Sequence, residues 1–305
     1  MVREWTRERY SVNVLLTCAG RRNYLVRYFR QALSGTGKVY AVDASEYAPA
    51  LQEADTSLIV PPVNDHRYFD LIQEICETNQ IQLLISLNDL ELPLLARQRE
   101  RFLAIGTIPV ISSPVVIDTC FDKWAADSFL RKHGLDSPQT FVTLEAVEKA
   151  LANQKEQFPL VVKPRWGTAS TGIFYVHDAE ELMLAYKWLH KSLERGMLAS
   201  VSMQDKEHSV IIQEMLVGSE YGLDIVNDLQ GSYVATFVKR KLAMRAGETD
   251  RAVTVEDERL EKLGYRLSKA LGHMGNLDCD VFVTEKGCYI QDYPYGPGLL
   301  IIDNL

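Results

Sequence analysis

Cysteine is scarce in this chain: Cys18, Cys76, Cys120, Cys279 and Cys288 are the five among 305 residues. Their number is odd and no two stand at CxxC spacing, which argues against a disulfide framework or a zinc site and for reduced thiols. Cys18 and Cys120 follow apolar runs where a cleft could form, but the simpler reading of both is a small buried hydrophobe. No apolar run approaches the roughly 20 residues of a membrane span, and the first ten residues are too charged for a secretory signal. A cytoplasmic protein without a membrane partner is expected. Positive charge is also in deficit, with 33 Lys plus Arg against 41 Asp plus Glu and a net charge of −8. That balance disfavours nucleic acid as a partner but leaves room for a local basic cleft that binds phosphates. Repeats and low-complexity segments are absent.

What is present is an ordinary globular composition, 47% apolar and 24% charged, at a length that suggests two or three compact units. Short β-prone runs at 12–17, 38–42, 57–60, 82–86 and 108–111 alternate with helical patterns at 24–33, 65–79 and 89–103. Strands separated by helices make a parallel sheet covered on both faces, so residues 11–115 read as a Rossmann-like doubly wound domain. Ligands of such sheets lie beyond the carboxyl ends of the strands, where Thr17, Gly20, Arg21, Asp43, Asn88, Asp89 and Glu91 fall. The first turn, Cys18 to Asn23, lacks G-x-G-x-x-G spacing, so no dinucleotide site is assigned. Arg21 and Arg22 could hold an anion at a helix start or simply be solvated. Asp89 and Glu91 could orient a substrate amine or favour the N-terminus of their helix.

Beyond residue 115 the pattern is mixed α and β. An amphipathic helix at 121–133 stops at Gly134, and strands at 138–142, 158–164 and 173–176 alternate with helices at 144–153 and 178–195. A strand at 210–214 precedes two long ones at about 220–228 and 232–240, a helix at about 256–271 and a final pair at 275–284 and 287–292.

The strand at 158–164 is apolar until it delivers Lys163-Pro164, and a loop of small and hydroxyl residues follows at 165–172. An ammonium supplies a point charge to phosphate oxygens, and Gly167, Ser170, Thr171 and Gly172 let backbone N–H groups fold over them. Such a loop suits a nucleoside triphosphate, although Gly/Ser loops are also common hairpins. About fifty residues on, Gln213-Glu214-Met-Leu-Val217 ends a strand with a carboxylate and an apolar edge, a hinge able to meet an adenine, and Glu220 could accept from ribose hydroxyls.

In order and spacing these features resemble the ATP-grasp superfamily, in particular the carbamoyl-phosphate synthase large subunit. The matching elements are the N-terminal strand–helix domain, Asp122-Lys123, Val161-Val-Lys-Pro164 with its loop, Gln213-Glu214, Gly218-Ser-Glu220-Tyr221, the stretch 239–250 and the last strand pair. The resemblance implies an α/β chain. A Rossmann-like pre-ATP-grasp domain (1–115) would precede a two-lobed α+β ATP-grasp domain, with lobe 1 and its phosphate lid at 116–205. Lobe 2, with the metal and adenine strands, would occupy 206–305. It further implies ATP and Mg²⁺ as cofactors, a small-molecule carboxylate and an amine as substrates, and a homodimer, dimers being common among relatives. Lys123 and Lys163 would contact ATP phosphates, Glu214 and Val217 would face the adenine, and Glu220 the ribose. Lys239, Arg245 and Glu248 would lie at the phosphate and substrate end, with Lys239 and Arg245 in catalytic roles. Alternatively, Lys239, Arg240 and Lys241 are charges guarding a strand edge.

One part of the pattern departs from the family. Magnesium ligands are expected as an acidic or amide residue on the penultimate strand and as Glu-x-Asn on the last. Asp278 and Asp280 share one face of the first of these strands, and Asp278 is taken as the ligand. Gln291 and Tyr293 stand where the Glu and Asn are expected. A neutral Gln is a weak ligand for Mg²⁺. Asp292 could substitute, but strand alternation turns it to the opposite face unless a bulge intervenes. The resemblance therefore supports an ATP-dependent ligase that activates a small carboxylate as an acyl phosphate for attack by an amine. Its rivals are a degenerate nucleotide-binding protein without turnover and a structural subunit of the same fold.

Overall fold

The computed structural model describes residues 11–167, 172–195, 198–245 and 248–293. The chain divides into two compact units, Met1–Pro114 and Val115–Leu305.

The first unit runs β1 (Val14–Thr17), α1 (Asn23–Leu33), β2 (Val39–Asp43), α2 (Pro49–Glu53), β3 (Thr56–Ile59), α3 (Tyr68–Thr78), β4 (Leu83–Ser86), α4 (Leu92–Arg97), α5 (Arg99–Leu103) and β5 (Ile108–Pro109). Its strands form one parallel sheet in the order β3-β2-β1-β4-β5. All four residues of the central β1 are buried, as expected of a parallel sheet covered on both faces. Gly37 lets the chain turn into β2, since a Cβ there would come within 2.0 Å of the Val12 carbonyl oxygen. The helix expected over 89–103 is two helices, because Gln98 (φ −99°, ψ 2°) leaves the helical region.

Strand order reverses between β1 and β4, and a fully buried carboxylate fills that point. Glu91 accepts hydrogen bonds from the hydroxyls of Thr17 (2.7 Å), Ser86 (2.6 Å) and Tyr68 (2.8 Å). Asp43 accepts from the backbone N–H groups of Gly20 (2.8 Å) and Ser45 (2.9 Å). Thus Thr17, Asp43 and Glu91, candidates for ligand contact by position, are engaged in holding the strand ends together. Burial pushes the Glu91 carboxyl above its ordinary value of 4.5, against the pull of the three hydroxyls. A group whose folded pKa is raised contributes stability below its unfolded pKa and loses it as pH rises through the folded value. Glu91→Leu, which strands three buried hydroxyls, is expected to destabilise the protein by about 3 kcal/mol. The gap between variant and wild-type melting temperatures should narrow as pH is raised from 4.5. A gap that widens would contradict this assignment.

The second unit continues with α6 (Pro114–Phe121), α7 (Lys123–Lys132), β6 (Thr140–Phe141), α8 (Leu144–Ala152), β7 (Leu160–Pro164), β8 (Phe174–Val176), α9 (Ala179–Leu193) and α10 (Ala199–Ser202). After these come β9 (Val210–Glu214), β10 (Ser219–Asn227), β11 (Tyr233–Arg245), β12 (Glu248–Val255), α11 (Glu258–Leu271), β13 (Gly275–Val283) and β14 (Cys288–Asp292). The helix expected from 121 starts only at Lys123, because the Asp122 side chain accepts from the N–H groups of Trp124 and Ala125 and caps it.

Two antiparallel sheets result, β6-β9-β7-β8 and β12-β11-β10-β13-β14. β9 lies inside the first sheet, hydrogen-bonded to both β6 and β7, so the sheets divide near residue 215 instead of at 206. The second sheet has a further strand, β12, in a stretch to which the sequence pattern assigned none. Its residues pair with the far half of β11. β11 is therefore not an edge, and the edge-guarding reading of Lys239, Arg240 and Lys241 is set aside.

Candidate functional site

Alternation along β7 decides where its lysine goes. Leu160 and Val162 pack with Leu182, Ala185 and Leu189 of α9, so Val161 and Lys163 project from the other face of the sheet. On that face Lys163 is 3% exposed. Burial pushes its ammonium down to about 8, opposed by the nearby carboxylates of Asp292 and Asp280 and reinforced by Lys123. A buried ammonium among these groups is poised for an anion: phosphate oxygens would replace the hydration it has lost.

The second sheet is also two-faced. One face carries Leu223, Ile225, Thr236, Val238, Leu277 and Cys279 and packs against α11, where a Cβ on Gly264 would lie 2.4 Å from the Thr236 hydroxyl. The other carries Glu220, Asp224, Lys239, Lys241, Asp278 and Asp280, in register across β10, β11 and β13. Lys239 Nζ lies 3.0 Å from Asp224 Oδ2 and 3.6 Å from Asp278 Oδ1. Lys241 Nζ lies 2.7 Å from Glu220 Oε1 and 2.6 Å from Asp280 Oδ1. Gly222, between them on β10, is the position where a side chain is missing: a Cβ there would meet Lys239 Cε at 2.5 Å. Burial and the neighbouring Asp278 push the Asp280 carboxyl up, against the pull of Lys241. Asp278 Oδ1 is buried without a hydrogen bond among the described residues.

The departure from the Glu-x-Asn pattern resolves in the pairing of β13 with β14. Asp280 faces Asp292, yet Val281 faces Ile290, so Gln291 is an extra residue in the ladder. This bulge restores Asp292 to the Asp280 position, which simple alternation would deny it. Asp292 Oδ2 lies 3.5 Å from Lys123 Nζ, whereas Gln291 Nε2 donates to Gln213 Oε1 on the first sheet at 3.3 Å. On this face Asp278 and Asp280 of β13 are thus joined by Asp292 through the bulge, while Gln291 meets Gln213.

The remaining candidates divide. Lys123 donates to the Gly167 carbonyl at 2.6 Å, and its backbone N–H to the Arg165 carbonyl at 3.1 Å. Arg165 is held by a two-point pair with Asp122 (2.7 and 2.6 Å) and by Asp205 (2.9 Å), which fixes the start of the small-residue loop. Sequence reasoning assigned no role to Arg165 or Asp205 individually, and treated Lys241 only as one of three charges that could guard a strand edge. Gly167 (φ +142°) and Gly172 (φ +77°) adopt backbone that favours glycine, while Ser170 and Thr171 lie outside the described residues. Glu214 projects from the α9 face of its strand, away from Lys163, and accepts from the Gln139 N–H at 3.0 Å. Val217 is exposed and open to a ligand. Glu220 is paired through Oε1 with Lys241. Arg245 is exposed at the end of β11, about 20 Å along the strand from Lys239, and nothing is described of the Glu248 side chain.

The donor set tests for a hard divalent cation. Mg²⁺ typically takes one or two carboxylates together with phosphate oxygens and water. Asp280 and Asp292 across one ladder, with Lys163 and Lys123 beside them for the phosphates, fit that requirement.

Comparison with known proteins agrees with this geometry. Residues 14–111 match the family model of the PylC-like N-terminal domain, and 156–277 that of the ATP-grasp domain. A D-alanine–D-alanine ligase of Bacillus anthracis (strain CDC 684 / NRRL 3495) is 26% identical over 191 residues, 59% of this chain and 58% of that one. The carbamoyl phosphate synthase large chain of Myxococcus xanthus (strain DK1622) is 25% identical over 197 residues, 61% of this chain and 17% of that one. This chain therefore spans well under two thirds of either relative. Among solved structures, an L-amino acid ligase from Bacillus licheniformis superposes with a TM-score of 0.72 at 19% identity, covering 94% of this chain and 69% of that one. No helix among the described residues is long and apolar enough to cross a membrane. The chain thus carries a PylC-like N-terminal domain over its doubly wound sheet and an ATP-grasp domain over residues 156–277.

Proposed function

We propose that the protein is an ATP-dependent ligase of the cytoplasm that activates a small carboxylate as an acyl phosphate for attack by an amine. The observation that carries this reading is Lys163, a buried ammonium on the face of β7 that looks toward the Asp280–Asp292 pair. The printed activities of the relatives, D-alanine–D-alanine ligase and L-amino acid ligase, favour amino acids as both substrates. In the reaction, a substrate carboxylate oxygen attacks the γ-phosphorus and the bond to ADP breaks. The amine then attacks the carbonyl carbon, phosphate leaves, and the amine loses its proton. Lys163 and Lys123 would hold phosphate oxygens and neutralise charge that grows as the bond to ADP breaks. Asp280 and Asp292 would hold Mg²⁺, which supplies further charge neutralisation when bound. Gly167 and Gly172, both in backbone that favours glycine, border the stretch that the family resemblance assigns as a phosphate lid. The reading without turnover rests on loss of a metal-binding carboxylate, for which Asp292 offers a replacement.

ATP-dependent release of ADP, stimulated by pairs of amino acids and dependent on Mg²⁺, is the test. ATP binding with no ADP release across all amino acid pairs would overturn the ligase reading.

A further inference from the structure

The Lys241 ammonium sits on a carboxylate oxygen of Asp280, one of the two residues proposed to hold a metal ion. Its side chain is 6% exposed, reaches across β10 from β11 to β13, and contacts Asp280 Oδ1 at 2.6 Å and Glu220 Oε1 at 2.7 Å. Two cations cannot share that oxygen at such distances without strong repulsion. The other carboxylate of the pair, Asp292, has Lys123 at 3.5 Å. Each candidate metal-binding carboxylate thus has an internal counter-ion in the nucleotide-free protein.

We infer that Lys241 is a resident cation that keeps divalent metal out of the nucleotide-free site and moves off Asp280 only when a nucleotide supplies anionic oxygens for its ammonium. This rests on the assignment of Asp280 and Asp292 in the proposed function. Metal binding then becomes conditional on nucleotide, because a phosphate can re-pair the displaced lysine whereas free metal cannot. The nearby charges are accounted for in the same way: Lys239 is held by Asp224 and Asp278 on the same face and cannot re-pair Glu220.

The test is Mn²⁺ binding to the whole chain without nucleotide, followed by the paramagnetic signal of the free ion. Wild type should take up no saturable Mn²⁺ at micromolar concentrations. Lys241→Met should gain one site at least roughly tenfold tighter, the equivalent of about 1.4 kcal/mol, and adding Asp280→Asn should remove it. Lys241→Gln, which leaves a polar group beside the two carboxylates, serves if the Met variant does not fold. Saturable Mn²⁺ uptake by wild type equal to the variant's, or a gain that survives Asp280→Asn, overturns the inference. Because no nucleotide is present, these outcomes are independent of whether the protein binds ATP, so a failure of the ligase reading is told apart from a failure of this one.

Discussion

Lys163→Ala should weaken ATP binding by roughly tenfold to a hundredfold, the loss of about 1.5–3 kcal/mol expected for a hydrogen bond to a charged group. The size follows from burial. Lys163 is 3% exposed, so water cannot take over the phosphate contacts once the ammonium is gone. Stability should move differently. The fold holds this ammonium below its ordinary pKa, which means that charging it costs free energy in the empty site. Lys163→Met, which retains the packing of the stem, should therefore lose the same affinity yet melt no lower than wild type. A pH series sharpens the test. Wild-type affinity for ATP should decline as pH rises through about 8, where the free protein's lysine loses its proton, and the Met variant should lack that decline. Unchanged affinity in a folded variant would remove the anchor of the phosphate site.

Asp292→Asn should lower Mg²⁺-dependent ADP release by about a hundredfold or more, the scale seen when one group stabilising transition-state charge is removed. Gln291→Ala should change it by a few-fold at most. The contrast rests on the bulge: Asp292 faces Asp280 and lies 3.5 Å from Lys123, whereas Gln291 is turned toward Gln213. The family's spacing would assign the opposite ranking, with position 291 dominant. Loss of activity in the Gln291 variant and retention in the Asp292 variant would restore that spacing and undo the assignment made here. Both variants keep the backbone of the last strand, and comparing their melting temperatures separates a metal-binding defect from a folding one.

The strand and helix pattern of the first unit was legible because each element is short, strongly apolar and bounded by Gly, Asp or Pro. β1, β2 and β4 fall within two residues of their expected places. The far end of β11 and the whole of β12 were not legible, since seven of the 21 residues in these two strands are charged and such a strand has no clear apolar face until its partner is known. Glu91 marks a second limit. Its position beyond β4 correctly put it at the strand ends, but nothing local shows that Thr17, Ser86 and Tyr68 converge on it from three other places in the chain.

By itself the sequence determined that Lys163 ends a buried strand, that Asp278 and Asp280 share a face, and that the expected glutamate is a glutamine. These follow from residue identity and a period of two, which are local properties. Tertiary structure alone decided which carboxylate opposes Asp280 and which cation sits on it. Register is set by hydrogen bonds between strands, so one unpaired residue at Gln291 exchanges the faces of everything after it. Lys241 finds Asp280 across a whole intervening strand, a contact that exists only once three strands are laid side by side.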